Sequence, residues 1–192
     1  MEIILSSVGK SKVLFIFILL MSLLFGCREV QTAHTSNARQ IFSIKDYMKS
    51  EAVRLDAAKP KVHKELELNS EIERKEIVID NWSKELEIFS VLDINKPSLI
   101  ESYKVDTIMN GNKITKITHR SKVEKEVKVK VLDVEFDIDG KPTSLYIEKE
   151  IDSPITTATE KLQYNVKKGY QIESTTESFD KKKNTVKVNV SF

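Results

Sequence analysis

Few side chains in this sequence are spaced for chemistry. Its single cysteine, Cys27, excludes an intrachain disulfide and any zinc or iron–sulfur site that needs several thiolates. The three histidines, His34, His63 and His119, stand far apart, and none has a second His, Cys or acid at metal-ligand spacing. Glu135-Phe136-Asp137-Ile138-Asp139-Gly140 sets acids at alternate positions ahead of a glycine, as an EF-hand calcium loop begins. Its twelfth position is Tyr146, so the bidentate glutamate is missing, and the run reads as the polar face of a hairpin. No Gly-x-Ser-x-Gly elbow, His-Glu-x-x-His pair or Gly-rich phosphate loop occurs. Many carboxylates are present, but nothing in the spacing singles out a working pair. The expectation is no enzyme, no metal and no cofactor.

Cys27 itself sits where chemistry is done to the chain. Lys10 and Lys12 precede an apolar run from Val13 to Phe25, a charged segment followed by a hydrophobic one, as in an export signal. The run falls short of the ~20 apolar residues a spanning helix needs. Ordinary signal cleavage wants small side chains at both −3 and −1, and here Leu24 fills −3. Leu24-Phe25-Gly26-Cys27 instead resembles the lipobox of bacterial lipoproteins, with Phe25 bulkier than the usual occupant of its position. The resemblance implies a diacylglycerol on the Cys27 sulfur, cleavage before it and acylation of the new N-terminus. Several acyl chains on one residue would hold the protein at a membrane, at about 0.8 kcal/mol per buried methylene.

Composition bounds the rest. The chain has 192 residues, with 31 basic and 29 acidic side chains, room for one domain with a real core. Cleavage before Cys27 would leave 29 basic and 28 acidic residues. That balance argues against a nucleic-acid partner, which calls for clustered Lys and Arg. The expected organisation is a signal peptide over 1–26, a polar tether over 27–38 and one folded domain over 39–192.

Within the domain, Ile41, Ile44, Met48, Ala52 and Leu55 make one helical face, with Asn37 and Gln40 as cap and box partner and Lys59-Pro60 as the end. Val62 to Leu68 alternates, meets Asn69-Ser70, and predicts a hairpin through Ile72, Ile77 and Ile79. Asn81 caps a second helix whose Trp82, Leu86, Phe89 and Leu92 form an apolar stripe, closed by a left-handed Asn95 before Pro97. Beyond Pro97 the chain is strand-like, with turn signals every 9 to 26 residues.

Two registers follow from parity. A two-residue turn at Asp139-Gly140 with a bulge at Leu132-Asp133 sets Val134 opposite Leu145 and Val131 opposite Ile147. It also sets Lys130 opposite Glu148 and Lys128 opposite Glu150. A loop of Lys167-Lys168-Gly169, with Gly169 left-handed, matches Leu162, Tyr164 and Val166 to Ser174, Ile172 and Tyr170. Lys181-Lys182-Lys183 reads as a solvated turn, with anionic headgroups or glycans as the alternative. Val186 to Phe192 alternates to a terminal aromatic, as outer-membrane barrels do, but Lys- and Glu-rich strands favour a soluble sheet.

The expected fold is α+β: a curved antiparallel meander of about six to eight strands, the small N-terminal hairpin included, with two amphipathic helices packed on one face. Trp82-Ser83-Lys84-Glu85-Leu86-Glu87-Ile88-Phe89, Asp93-Ile94-Asn95-Lys96-Pro97 and Tyr103 resemble a pattern of uncharacterised cell-envelope lipoproteins of Bacteroidota. The resemblance spans about twenty residues and implies a Gram-negative cell envelope, with the outer membrane as the expected address. It implies no activity. Two functions remain: a protein-interaction or structural module of the envelope, or a carrier of a lipid or other apolar ligand between sheet and helices. A packed interior favours the first, an open apolar cavity the second.

Overall fold

Alternation of apolar and polar residues dominates the second half of the chain, and it folds accordingly into a sheet. The computed structural model describes residues 41–122 and 127–192. Cys27, His34, the Asn37–Gln40 cap, the signal peptide and the tether lie outside the described residues.

Helix α1 (Ile44–Ala58) is followed by β1 (Lys61–Leu68) and β2 (Glu71–Val78). Two one-turn helices come next, α2 (Trp82–Glu85) and α3 (Glu87–Ser90), then a 3₁₀ turn at Ile100–Ser102. The remaining strands are β3 (Tyr103–Asn110), β4 (Lys113–Ser121), β5 (Val129–Phe136), β6 (Pro142–Asp152), β7 (Thr156–Asn165), β8 (Gly169–Ser178) and β9 (Lys183–Ser191). All pair antiparallel in one open sheet of nine strands, ordered β2-β1-β9-β8-β7-β6-β5-β4-β3. The α+β expectation holds in outline, and the strand count exceeds it. β9 lies inside this open sheet, between β8 and β1, and is not the closing strand of a barrel.

Local signals explain most boundaries. Asn69 and Ser70 both have positive φ, 48° and 76°, as a two-residue turn matched to strand twist requires. Lys59 closes α1 in the left-handed region, its N–H bonded to Leu55 O, and Pro60 prevents continuation. The cap of α1 is Ser43, whose Oγ accepts from the Asp46 N–H at 3.1 Å, so the helix begins later than an Asn37 cap would start it. Asn81 caps α2 as expected, accepting from the Lys84 N–H at 2.9 Å. The helical stretch after it breaks at Leu86 into two single turns. Asn95 is not left-handed; Asp93 instead ends the stretch by accepting the Asn95 N–H at 2.9 Å.

Registers differ in instructive ways. Val134 faces Leu145 as expected, but Leu132 faces Ile147 and Val131 faces Glu148. One shift falls between Val129 and Val131, making Lys130 the extra residue instead of the Leu132-Asp133 pair, and a second falls between Glu135 and Phe136. Lys130 therefore does not oppose Glu148, whereas the Glu150 N–H does donate to Lys128 O at 2.9 Å. The β5–β6 turn is wider than two residues: Asp137 N–H bonds Lys141 O, and the Asp137 carboxylate accepts from both Asp139 and Lys141 N–H. In the β7–β8 hairpin the loop is Val166-Lys167-Lys168, so Tyr164 faces Tyr170 and Leu162 faces Ile172. Gly169 does have positive φ, 107°, and a Cβ there would lie 1.9 Å from Val190 O.

The core is the layer between the helices and one sheet face. Ile44, Met48, Leu55, Trp82, Leu86 and Phe89 meet Leu132, Val134, Leu145, Ile147, Leu162, Tyr164 and Val190 there, all buried. Strand alternation sends the opposite residues to a polar outer face.

Candidate functional site

The helix–sheet layer is filled. Trp82, Phe89 and Met48 are fully buried, and Phe89 meets the rings of Tyr164 and Tyr170 edge-on at 6.1 and 5.8 Å. Trp82 meets Phe192 at 5.8 Å and Tyr47 meets Tyr164 at 6.1 Å, each edge-to-face as aromatic quadrupoles prefer. The Trp82 and Phe89 stripe thus acts as a core anchor.

Two polar networks run through this layer. Tyr164 donates to Glu51 at 2.5 Å, and Arg54 donates to the same oxygen at 2.7 Å. Glu85 accepts from Tyr170 and, at 2.7 Å, from Lys64. Burial, reinforced by the neighbouring carboxylates, pushes the Tyr47, Tyr164 and Tyr170 phenols well above the usual range. Burial alone would raise the Glu85 carboxyl, but hydrogen bonds from Lys64 and Tyr170 outweigh it and hold the group low. Glu51 is held by Tyr164 of the sheet and Arg54 of its own helix, and Glu85 by Lys64 and Tyr170 of the sheet, so both networks tie the helices to the strands.

The outer face carries the other candidate. Register aligns Asp133, Tyr146, Gln163, Gln171 and Asn189 directly across β5 to β9. These five residues, with Lys116, Glu135, Ser144 and Asn165, line a groove of about 500 Å³. Lys116 pairs with Asp133 at 2.7 Å, leaving the buried Asp133 Oδ1 without a protein partner among the described residues. Ser144 donates to Glu135 at 2.7 Å, and Tyr146 to Glu148 at 3.1 Å. Burial first, and Glu148 second, raise the Tyr146 phenol. Gln163, Gln171 and Asn189 are exposed, so amide donors and acceptors stand open beside a compensated ion pair. The arrangement suits a polar binding surface.

The residues singled out from the sequence scatter. His63 is exposed on β1, 3.7 Å from Glu76. His119 is buried on the core face of β4, and burial pushes its imidazole down. Asp137 is consumed by its own turn. Lys182 and Lys183 pair with Asp180 and Glu177 across the β8–β9 turn, each at 3.3 Å. Among the described residues no three His, Cys, Asp or Glu side chains converge as a metal site, and no helix is long and apolar enough to cross a membrane. The outer groove was not foreseen, because its members lie on separate strands and share no linear spacing. Strand parity together with the registers would have found it.

No protein-family model, curated protein or solved structure matches the chain.

Proposed function

We propose that this chain is a lipid-anchored, non-catalytic protein of the bacterial cell envelope, held through Cys27 and binding a protein partner on its outer sheet face. The charged segment, apolar run and Leu24-Phe25-Gly26-Cys27 support the anchor, and the Bacteroidota-like pattern supports a Gram-negative outer membrane as its address. The observation that carries the interaction reading is the filled helix–sheet layer beside an open polar groove. A carrier would need apolar space where Trp82, Leu86 and Phe89 are packed.

The test is photocrosslinking in cells from position 163 or 171, with Ile88 on α3 as the control site. The reading expects a discrete protein adduct from the two groove positions, lost when Tyr146 is replaced by Arg. Equal adducts from Ile88 would refute the groove as the binding face. A lipid-sized adduct in native mass spectrometry of the intact protein would instead favour the carrier.

A further inference from the structure

One end of the sheet is apolar where a solvated protein would be polar. The β3–β4 and β5–β6 turns lie side by side there, since Lys113 Nζ donates to Ile138 O at 2.6 Å. Ile114, Ile117, Phe136 and Ile138 line an apolar cleft of about 550 Å³ between them. Ile138 is 76% exposed, and Ile108 and Met109 on adjoining β3 are 57% and 55% exposed. Aliphatic side chains gathered this way mark a contact surface, not scattered surface residues.

The chain enters the domain beside this cleft. Phe136 on its wall takes the ring of Phe42 edge-on at 6.3 Å, and Phe42 stands one residue inside the described chain. Ile41 follows Cys27 by fourteen residues, a length that spans at most about 50 Å. Resting on the anchor reading, we propose that the cleft end of the sheet lies against the bilayer surface, with Ile114, Ile138 and Met109 in the interface. Lys113 and Lys141 on the exposed turns face the headgroup level, where anionic lipid favours cations. Asp137 is engaged by its own turn, and Asp139, exposed on the cleft rim, leaves two lysines against one open acid.

The opposite end then points away. It carries Phe179 and Ile155, 81% and 68% exposed and joined by the Phe179 N–H to Ile155 O at 3.1 Å. Strand β6, eleven residues long, separates the two ends by about 35 Å.

The experiment uses the full acylated chain in vesicles of phosphatidylcholine and phosphatidylglycerol, with Ile138→Trp and Phe179→Trp as separate variants. Trp82 is fully buried and supplies a constant background. Brominated phospholipid is expected to remove more than half of the added emission of Ile138→Trp and shift it to the blue. Phe179→Trp should stay open to iodide and indifferent to bromine. A position 138 open to iodide overturns the proposal, as does one shielded from iodide yet untouched by brominated lipid, which would mean a protein covers it. Bromine quenching of Phe179→Trp alone would reverse the orientation and overturn it too. Flotation separates the failures: protein that does not float with the vesicles overturns the anchor reading and this one together, whereas floating protein with an iodide-open position 138 overturns only this one.

Discussion

Tyr164 donates its phenol hydrogen to Glu51 at 2.5 Å, tying strand β7 to the middle of helix α1 across 113 residues of chain. Arg54 completes the group by donating to the same carboxylate oxygen at 2.7 Å. The phenol–carboxylate bond is buried, and a hydrogen bond to a charged group is worth more than a neutral one.

Replacing Tyr164 by Phe should therefore cost about 1–3 kcal/mol, read from the urea midpoint at unchanged slope. Gln163→Ala, one residue away on the solvent face, should stay within about 0.5 kcal/mol of the parent. Equal losses at the two positions would mean the network contributes nothing.

Acid should act in two stages. The folded chain holds His119 neutral because it is buried, so its contribution is present above the unfolded value near 6.5 and is lost as pH falls below that. Glu85 is held low, so its contribution is present above about 4.3 and is lost as pH falls through the folded value. His119→Leu should remove the first stage and spare the second. Lys64→Met should start the second stage at higher pH, since burial would then dominate Glu85. Stability measured at intervals across the acid range decides both.

Alkali should act through the phenols. Tyr103 is pushed up to about 12 by burial, and Tyr47, Tyr164 and Tyr170 lie higher still. Their contribution is present below the ordinary phenol value near 10 and fades as pH rises past it. In a spectrophotometric titration these four should ionise only as the chain unfolds, after the fifth phenol, the half-buried Tyr146, has already done so.

Gly169 is fixed by geometry, not by flexibility alone. Ala at this position would combine a φ of 107° with a Cβ 1.9 Å from Val190 O, so expression or thermal stability should fall sharply. Gly111 offers the comparison: its φ is 60° with nothing within 4 Å, and Ala there should cost only about 1 kcal/mol. Similar losses at the two glycines would show that the β8–β9 contact is looser than described.

Legibility followed the range of each interaction. The α1 stripe, the Asn69-Ser70 turn and the Trp82 anchor were readable because each is encoded within a few residues. The Ser43 cap carried its own signal in Asp46 three residues on, but Asn37 offered the same pattern with Gln40. The bulge at Lys130 escaped because a slip at Leu132-Asp133 restores the same burial parity. Moving the β7–β8 loop back by one residue also preserves every face, so burial could not choose between the frames. The pairing of β1 with β9 is a long-range fact with no local trace, whereas the groove row across β5 to β9 runs through successive hairpins and needs every register to be right. Cys27 remains legible only in sequence, since it lies outside the described residues.

Everything proposed about location rests on that cysteine. The deciding measurement is the intact mass of the full chain purified from membranes, with fragmentation of its N-terminal peptide. The account predicts a chain that begins at Cys27 and carries a diacylglyceryl thioether and an amide-linked acyl group. A free Cys27 thiol, whether in an uncleaved chain or in one cut elsewhere, would contradict it.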